Sequence, residues 1–166
     1  AAPTAGLHFD EEILKQIEAM GIAITHLTLH IGIGTFQPVA VEKLEDHVMH
    51  TEQYSLGAEA AACINQCRAA GGRVIAVGTT SVRVLETCTT DDGVTQPATG
   101  TTGIFLYPPY RPRSVDMLLT NFHLPRSTLL MLVSTFAKRE HVLAAYQQAI
   151  AERMRFYSYG DCMLLV

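Results

Sequence analysis

The sequence predicts one α/β domain with a largely parallel or mixed sheet flanked by helices. Segments with apolar residues at helical spacing alternate with short apolar or period-two segments, an order typical of α/β folds. Hydrophobic residues make up 48% of the chain and charged residues 17%, so a packed core is favoured over disorder. A chain of 166 residues has room for one domain, and we expect residues 1–166 to form it.

The first half of the chain is predicted to alternate helices and strands. Asp10 can cap a helix that runs to about Met20, and Gly21 can close it. The period-two pattern of residues 22–31 predicts a strand. The same criteria predict a strand over 50–54, a helix over 58–70, a strand over 73–77, a helix over 81–88 and a loop or hairpin over 89–101.

The second half continues this order to the end of the sequence. A strand over 102–107 should end at Pro108-Pro109, because proline cannot donate to a sheet. Residues 115–119 form a short apolar segment, and a loop is expected at 121–125. The remaining predicted elements are an apolar helix to about residue 136, an amphipathic helix over 140–154 and an apolar segment over 162–166.

Composition narrows the class of protein. The net charge of −4 argues against a uniformly basic nucleic-acid coat and leaves room for a local basic patch. No apolar run approaches the ~20 residues that a membrane helix needs. The four cysteines are irregularly spaced, which predicts free thiols in a reducing cytoplasm. The chain starts with neither Met nor a signal-peptide pattern, so we expect a cytoplasmic piece of a longer protein.

A glycine and two hydroxyl residues stand between a predicted strand and a predicted helix. Gly78, Thr79 and Thr80 would bring backbone N–H groups and hydroxyls to a ligand at the helix N-terminus. Arg83 and Glu86 follow on the same helix, where an ordinary surface ion pair is the alternative interpretation. The segment has neither a Walker nor a dinucleotide-binding pattern.

A second glycine pattern and a group of histidines lie in the first third of the chain. Gly32, Gly34 and Thr35 follow a predicted strand and suit either a structural turn or a close approach to substrate. His50 and Glu52 are candidates for acid–base chemistry, with solvated side chains as the alternative. No histidine or cysteine set has the spacing of a closed tetrahedral site, so no metal is predicted.

Polar residues also cluster on loops in the last third of the chain. Asn121 and His123 place an amide and an imidazole on a short loop stiffened by a proline. Tyr159 and Asp161 place a phenol and a carboxylate on one turn. For both pairs, plain turn chemistry is the alternative interpretation.

A basic and aromatic segment is the candidate nucleic-acid contact. Tyr110, Arg111 and Arg113 lie in a proline-rich stretch, and Arg126 follows in the next elements. Arginine can contact phosphates and tyrosine can stack on unpaired bases, although a solvated loop has the same composition.

Six segments, taken in order, resemble one family over essentially the whole chain. They lie at residues 3–9, 30–39, 47–54, 76–86, 120–133 and 155–161. Together they resemble the S-adenosylmethionine:tRNA ribosyltransferase-isomerase family of queuosine biosynthesis. Members of that family are about twice as long and carry a β-barrel domain, so the resemblance implies a C-terminal half that lacks the barrel and has the N-terminal half as a partner.

The resemblance implies a reaction and its substrates. The ribosyl part of S-adenosylmethionine moves to 7-aminomethyl-7-deazaguanine at the tRNA wobble position and is isomerised. Adenine and methionine leave, and the product is epoxyqueuosine-tRNA. The implied partners are S-adenosylmethionine as co-substrate and the tRNA anticodon stem-loop, with no prosthetic group and no membrane.

The resemblance also implies site residues, which we expect to line one cleft. The expected acid–base residues are His50, Glu52, His123 and Asp161. The expected S-adenosylmethionine-binding residues are Gly32, Gly34, Thr35, Gly78, Thr79, Thr80, Arg83, Glu86, Asn121 and Tyr159. The expected RNA-binding residues are Tyr110, Arg111, Arg113 and Arg126. The alternatives are an inactive fragment that binds tRNA or S-adenosylmethionine, and a hydrolase built on the histidines.

Overall fold

A computed structural model describes residues 2–32, Leu44 and 47–166. Within these residues, the strands form two three-stranded sheets flanked by helices. The expected α/β class is therefore confirmed. No helix of the described part is long and apolar enough to cross a bilayer.

The first sheet is antiparallel and contains β1 (Thr28–His30), β2 (Glu52–Leu56) and β4 (Ala98–Thr102), in that order. Strand β2 lies in the centre and alternates buried and exposed residues, because one of its faces packs on the core. Tyr54 of β2 lies opposite Gly100 of β4. The Tyr54 ring packs over Gly100, and a Cβ atom there would lie at an ordinary contact distance of 3.5 Å from the Tyr54 hydroxyl.

The second sheet is mixed and contains β3 (Ile75–Val77), β5 (Met117–Asn121) and β6 (Cys162–Leu165). Strand β3 runs parallel to β5, and β6 runs antiparallel to it. The sequence predicted a largely parallel or a mixed sheet, and this second sheet is mixed. Among the described strands, β3 and β5 form the parallel pair.

The helices begin and end at recognisable local signals. The Asp10 carboxylate accepts a hydrogen bond from the Ile13 N–H at 2.8 Å and caps α1 (Glu11–Ala19). Gly71, with a φ of +75°, ends α2 (Ala58–Ala69) in the left-handed conformation that favours glycine. The helices are α1 (Glu11–Ala19), α2 (Ala58–Ala69), α3 (Thr79–Cys88), α4 (Thr128–Val133) and α5 (Arg139–Ala151), and a 3₁₀ turn (Thr4–His8) precedes them.

Two strand predictions differ from the structure. The strand expected over 22–31 is limited to β1, the part that pairs with β2. The strand expected over 102–107 is wrong, because the chain pairs with β2 earlier, through 98–102. The Thr102 hydroxyl then accepts from the Ile104 N–H at 3.2 Å, which turns the backbone away from the sheet. In both cases the extent of the strand is determined by pairing with β2 and not by the local sequence pattern.

Helix α3 connects the two sheets and carries much of the core. It contacts strands of both sheets, and its Val82 and Val84 side chains are fully buried. Leu118, in the centre of β5, is also fully buried. The turn that starts α3 therefore lies on a rigid base, next to the end of the central strand β5.

Candidate active site

A cavity of about 260 Å³ opens beside the turn between β3 and α3. Segments from both sheets and from the 3₁₀ turn contribute to its lining. The predicted site residues that line it are Gly78, Thr79, Thr80, Asn121 and His123. Ligands of α/β proteins commonly bind at strand ends of this kind.

The turn from β3 to α3 is held open toward the cavity. Gly78 has a φ of +90°, and its N–H donates to the Leu119 carbonyl at 2.8 Å. No side chain caps α3. The N–H groups of Thr79 and Thr80 have no hydrogen-bond partner within the described residues, and both residues line the cavity. The helix start can therefore donate hydrogen bonds to a polar group of a ligand.

His123 is a neutral imidazole at the cavity wall. Burial lowers the pKa of His123 to about 4, so the ring is uncharged at neutral pH. Its Nε2 atom lies 2.9 Å from the Thr120 hydroxyl, and its backbone N–H donates to the Tyr146 hydroxyl at 2.9 Å. These contacts fix the ring in a position where it can take or give a proton.

Asn121 joins the end of β5 to two other segments. Its Oδ1 atom accepts from the Thr4 hydroxyl at 3.3 Å. Its Nδ2 atom lies 3.2 Å from His8 Nε2 and 3.4 Å from the Gly160 carbonyl oxygen. Asn121 is buried and lines the cavity, so its amide is positioned before any ligand arrives.

Glu52 and Arg83 form a buried ion pair that does not line the cavity. Arg83 Nη1 donates to Glu52 Oε2, and the Gly32 N–H donates to Glu52 Oε1 at 3.2 Å. The pair therefore ties α3 to β2. Arg83 Nε and Nη2 are buried without a hydrogen-bond partner in the described part of the chain. Roles for Glu52, Arg83 and Gly32 in catalysis or in binding S-adenosylmethionine remain predictions.

Glu86 organises the proline-rich segment and lies outside the cavity lining. Its fully buried carboxylate accepts from the Tyr110 hydroxyl at 2.5 Å and from the Ser114 hydroxyl at 2.5 Å. The backbone N–H groups of Arg113 and Ser114 also donate to it, at 3.0 and 2.9 Å. The carboxylate thus binds segment 110–114, and the prediction that it binds S-adenosylmethionine stays untested.

The other predicted acid–base and ligand-binding residues lie apart from the cavity lining. His50 is exposed and Tyr159 is 88% exposed. The Asp161 carboxylate accepts from the Arg155 backbone N–H at 2.7 Å and from its Nη2 at 2.9 Å, and these hydrogen bonds lower the pKa of Asp161. Gly34 and Thr35 lie outside the described residues.

The candidate RNA-binding residues differ in how far their charges are already engaged. Arg111 and Arg126 are exposed. Arg113 forms ion pairs with Asp91 and, at 3.8 Å, with Glu86. Burial and the nearby Glu86 carboxylate raise the pKa of Tyr110 to about 12, so this phenol stays protonated. Arg111 is thus freer than Arg113 to contact a phosphate.

The structure brings together only part of the expected cleft. Gly78, Thr79, Thr80, Asn121 and His123 meet at the cavity, and their roles in binding or catalysis remain predictions. Sequence reasoning missed the contributions of the 3₁₀ turn and of residues 157–158, which also line it. The motif at residues 3–9 includes the 3₁₀ turn, so the family resemblance could have indicated that this turn contributes to the cavity. Within the described residues, no group of three His, Cys, Asp or Glu side chains could hold a metal ion.

The fold and cavity define an α/β domain that can hold a small polar ligand at its strand ends. A family model described as "Queuosine biosynthesis protein" matches residues 1–165. The chain therefore belongs to the queuosine biosynthesis protein family.

Two curated relatives and one crystal structure show the extent of the similarity. An S-adenosylmethionine:tRNA ribosyltransferase-isomerase of Moorella thermoacetica is 58% identical over 166 residues, which are 100% of this chain and 48% of the relative. One of the same name from Ralstonia pickettii is 59% identical, over 99% of this chain and 46% of the relative. A crystal structure of S-adenosylmethionine tRNA ribosyltransferase from Thermotoga maritima superposes with a TM-score of 0.81 at 40% identity, over 98% of this chain and 51% of that one. The chain spans about half the length of the curated relatives it matches.

Proposed function

We propose that this chain is the S-adenosylmethionine-binding part of an S-adenosylmethionine:tRNA ribosyltransferase-isomerase. The observation that carries the proposal is that two family motif segments meet at one cavity, one through Gly78–Thr80 and the other through Asn121 and His123. The names of the relatives support it. The reaction transfers and isomerises the ribosyl group of S-adenosylmethionine onto 7-aminomethyl-7-deazaguanine in tRNA, giving epoxyqueuosine-tRNA, adenine and methionine.

This chemistry requires proton transfers close to the sulfonium. A carbon beside a positive sulfur is acidic, so a base must take its proton, and the departing adenine needs a proton. His123 lines the cavity, where its imidazole is placed to take a proton from a bound substrate. We assign this transfer to His123. His50, Glu52 and Asp161 remain alternative acid–base groups that would have to act from outside the cavity lining.

The start of α3 is proposed to hold polar ends of the substrate. The unpaired N–H groups and the hydroxyls of Thr79 and Thr80 offer hydrogen bonds at the cavity wall. The tRNA would approach from outside, with Arg111 and Arg126 as exposed phosphate contacts. A wobble base turned out of the anticodon loop would then reach the cavity.

Calorimetric titration with S-adenosylmethionine tests the binding part of this proposal. We expect saturable binding by the chain and an affinity about 5- to 10-fold lower for Thr79→Val, because one hydrogen bond is lost at constant side-chain shape. Thr101→Val removes an exposed hydroxyl of β4 and is the matched control, with unchanged affinity. Equal effects of the two substitutions would contradict the assignment of this cavity.

Turnover is tested with a hybrid protein, in which this chain is joined to the part of the Moorella thermoacetica relative that lies outside the match. The chain alone and the hybrid protein are both incubated with S-adenosylmethionine and substrate tRNA, and released adenine is measured. Binding by the chain alone, with adenine released by the hybrid protein only, would identify the chain as a binding module that needs the rest of the enzyme.

A further inference from the structure

The Asn121 amide has a defined orientation. The Gly160 carbonyl oxygen can only accept a hydrogen bond, so the amide group that faces it must be the Nδ2 donor. Oδ1 then faces the Thr4 hydroxyl, which donates to it. The assignment of oxygen and nitrogen in this side chain therefore follows from its partners.

This orientation determines the proton position on His8. The same Nδ2 group lies 3.2 Å from His8 Nε2, so Nε2 must be the acceptor in this contact. The proton of a neutral His8 ring is consequently on Nδ1. His8 belongs to the 3₁₀ turn, which contacts strand β5 and carries the cavity-lining residues Thr4–Gly6.

The described contacts of the Asn121 side chain leave it able to accept a further hydrogen bond but not to donate one. A carboxamide has two N–H donors and two oxygen lone pairs. Both donors are taken, by His8 and Gly160, and one lone pair of Oδ1 is taken by Thr4. Within the described residues one lone pair is left, and Asn121 is buried and lines the cavity. With these contacts in place, Asn121 can offer a ligand an acceptor and no donor.

We propose that Asn121 is a specificity-determining residue that accepts a hydrogen bond from an N–H or O–H group of the bound ligand. We further propose that His8 is a positioning residue, which accepts from Nδ2 and, together with the Gly160 carbonyl, holds the amide in this orientation. The inference rests on the proposed function for the identity of the ligand. The candidate donors of S-adenosylmethionine are the purine amine, the two ribose hydroxyls and the ammonium group.

A panel of ligand analogues identifies the donor. The chain is titrated at about pH 8. The ligands are S-adenosylmethionine and four analogues, each lacking one candidate donor: a 6-oxopurine, a 2′-deoxyribose, a 3′-deoxyribose and a deaminated amino-acid end. We expect one analogue to bind at least about tenfold more weakly, because a buried acceptor loses its partner. In Asn121→Leu this penalty should disappear.

Variants of His8 test whether this residue orients the Asn121 amide or only stabilises the fold. His8→Leu removes one of the two Nδ2 acceptors and weakens the hold on the Asn121 amide, so the penalty for the identified analogue should fall by about threefold or more. His8→Gln should restore the penalty, because its side-chain carbonyl can accept from Nδ2. Thr4→Val is the matched control: it removes the other contact of the same amide, keeps both contacts of Nδ2, and should leave the penalty in place.

The outcomes distinguish the inference from the proposed function. If the native chain binds S-adenosylmethionine and the penalty is the same in His8→Leu, the positioning role is refuted while the proposed function stands. If all four analogues bind like S-adenosylmethionine, or if Asn121→Leu keeps the penalty, the specificity role is refuted. An absence of S-adenosylmethionine binding by the native chain would overturn the proposed function, and the inference with it. Because His8 is half-buried, its variants provide a test even if Asn121→Leu fails to fold.

Discussion

Replacing Glu86 by alanine should destabilise the fold while leaving the cavity lining in place. The Glu86 carboxylate is 1% exposed and accepts hydrogen bonds from the hydroxyls of Tyr110 and Ser114. It also accepts from the backbone N–H groups of Arg113 and Ser114. The hydroxyls can rotate toward other partners after the substitution, but the two backbone donors cannot. The effect should therefore arise mainly from those N–H groups.

The magnitude follows from the cost of buried, unsatisfied donors. Each such group costs ~1–3 kcal/mol, and breaking a buried charged network costs ~3–5 kcal/mol. We expect Glu86→Ala to lower the free energy of unfolding by about 3–4 kcal/mol. Tyr110→Phe removes one donor and keeps the carboxylate bound by the others, so about 1.5 kcal/mol is expected.

Urea denaturation followed by circular dichroism measures these differences. With a slope of ~2 kcal/mol per molar urea, the midpoint should fall by ~1.5–2 M for Glu86→Ala and by ~0.7 M for Tyr110→Phe. Glu18→Ala, which removes an exposed carboxylate on α1, is the control and should change the midpoint by less than ~0.3 M. A midpoint for Glu86→Ala equal to that of the control would refute the network as the element that fixes segment 110–114.

Three further results are expected. Burial keeps His123 neutral in the folded state, with its pKa lowered from 6.5 to about 4, so the unfolded state takes up the proton first as the pH falls. The free energy of unfolding should therefore drop by up to ~3 kcal/mol between about pH 6.5 and 4. Urea denaturation at several pH values measures this change, and an equally steep fall with pH in His123→Gln would contradict the assignment to His123. Asp10→Ala should remove the α1 cap and lower Tm by ~2–4 °C in a thermal melt, and an unchanged Tm would contradict the cap. In the hybrid protein, Arg111→Ala should reduce the slope of log K for tRNA binding against log salt concentration by up to ~0.9. Arg113 is already ion-paired, so Arg113→Ala should change this slope little. Equal slopes for the two variants would contradict the distinction between these arginines.

The sequence was informative where structure depends on neighbouring residues. Asp10 marked the start of α1, and the glycines after α2 marked its end, because caps are read from one or two adjacent residues. The β3–α3 turn was also marked by its glycine and hydroxyl residues, which the structure places at the cavity, and its role in ligand binding remains a prediction. These features need no knowledge of what packs against them.

Features that depend on distant partners could not be predicted. Strand β4 is rich in threonine and contains Gly100, and only its pairing with β2 and the Tyr54 ring explains why it is a strand. Glu86 and Ser114 meet across 28 positions of sequence, so spacing on α3 suggested a surface ion pair where the structure has a buried network. Polar side chains on one helix do not reveal which segments will cover them.

In the candidate site, too, local sequence predicted some features, and others depend on distant partners. Asn121 and His123 were singled out because they share a short loop, and the structure places both at the cavity. The contacts that orient Asn121 come from Thr4 and His8, more than 100 positions earlier, and no local pattern links them to it. Motif resemblance marked the segment at 3–9 without showing what its side chains do.

Adenine release by the hybrid protein is the most direct test of the central claim, that this cavity binds S-adenosylmethionine for ribosyl transfer. The Moorella thermoacetica relative, assayed in parallel, is the positive control. We predict that the hybrid protein releases adenine with substrate tRNA, and that His123→Gln slows the release by ~10²- to 10⁴-fold, as expected for the loss of a proton-transfer group. Release at an unchanged rate by His123→Gln, or no release by the hybrid protein while the relative is active, would contradict the account.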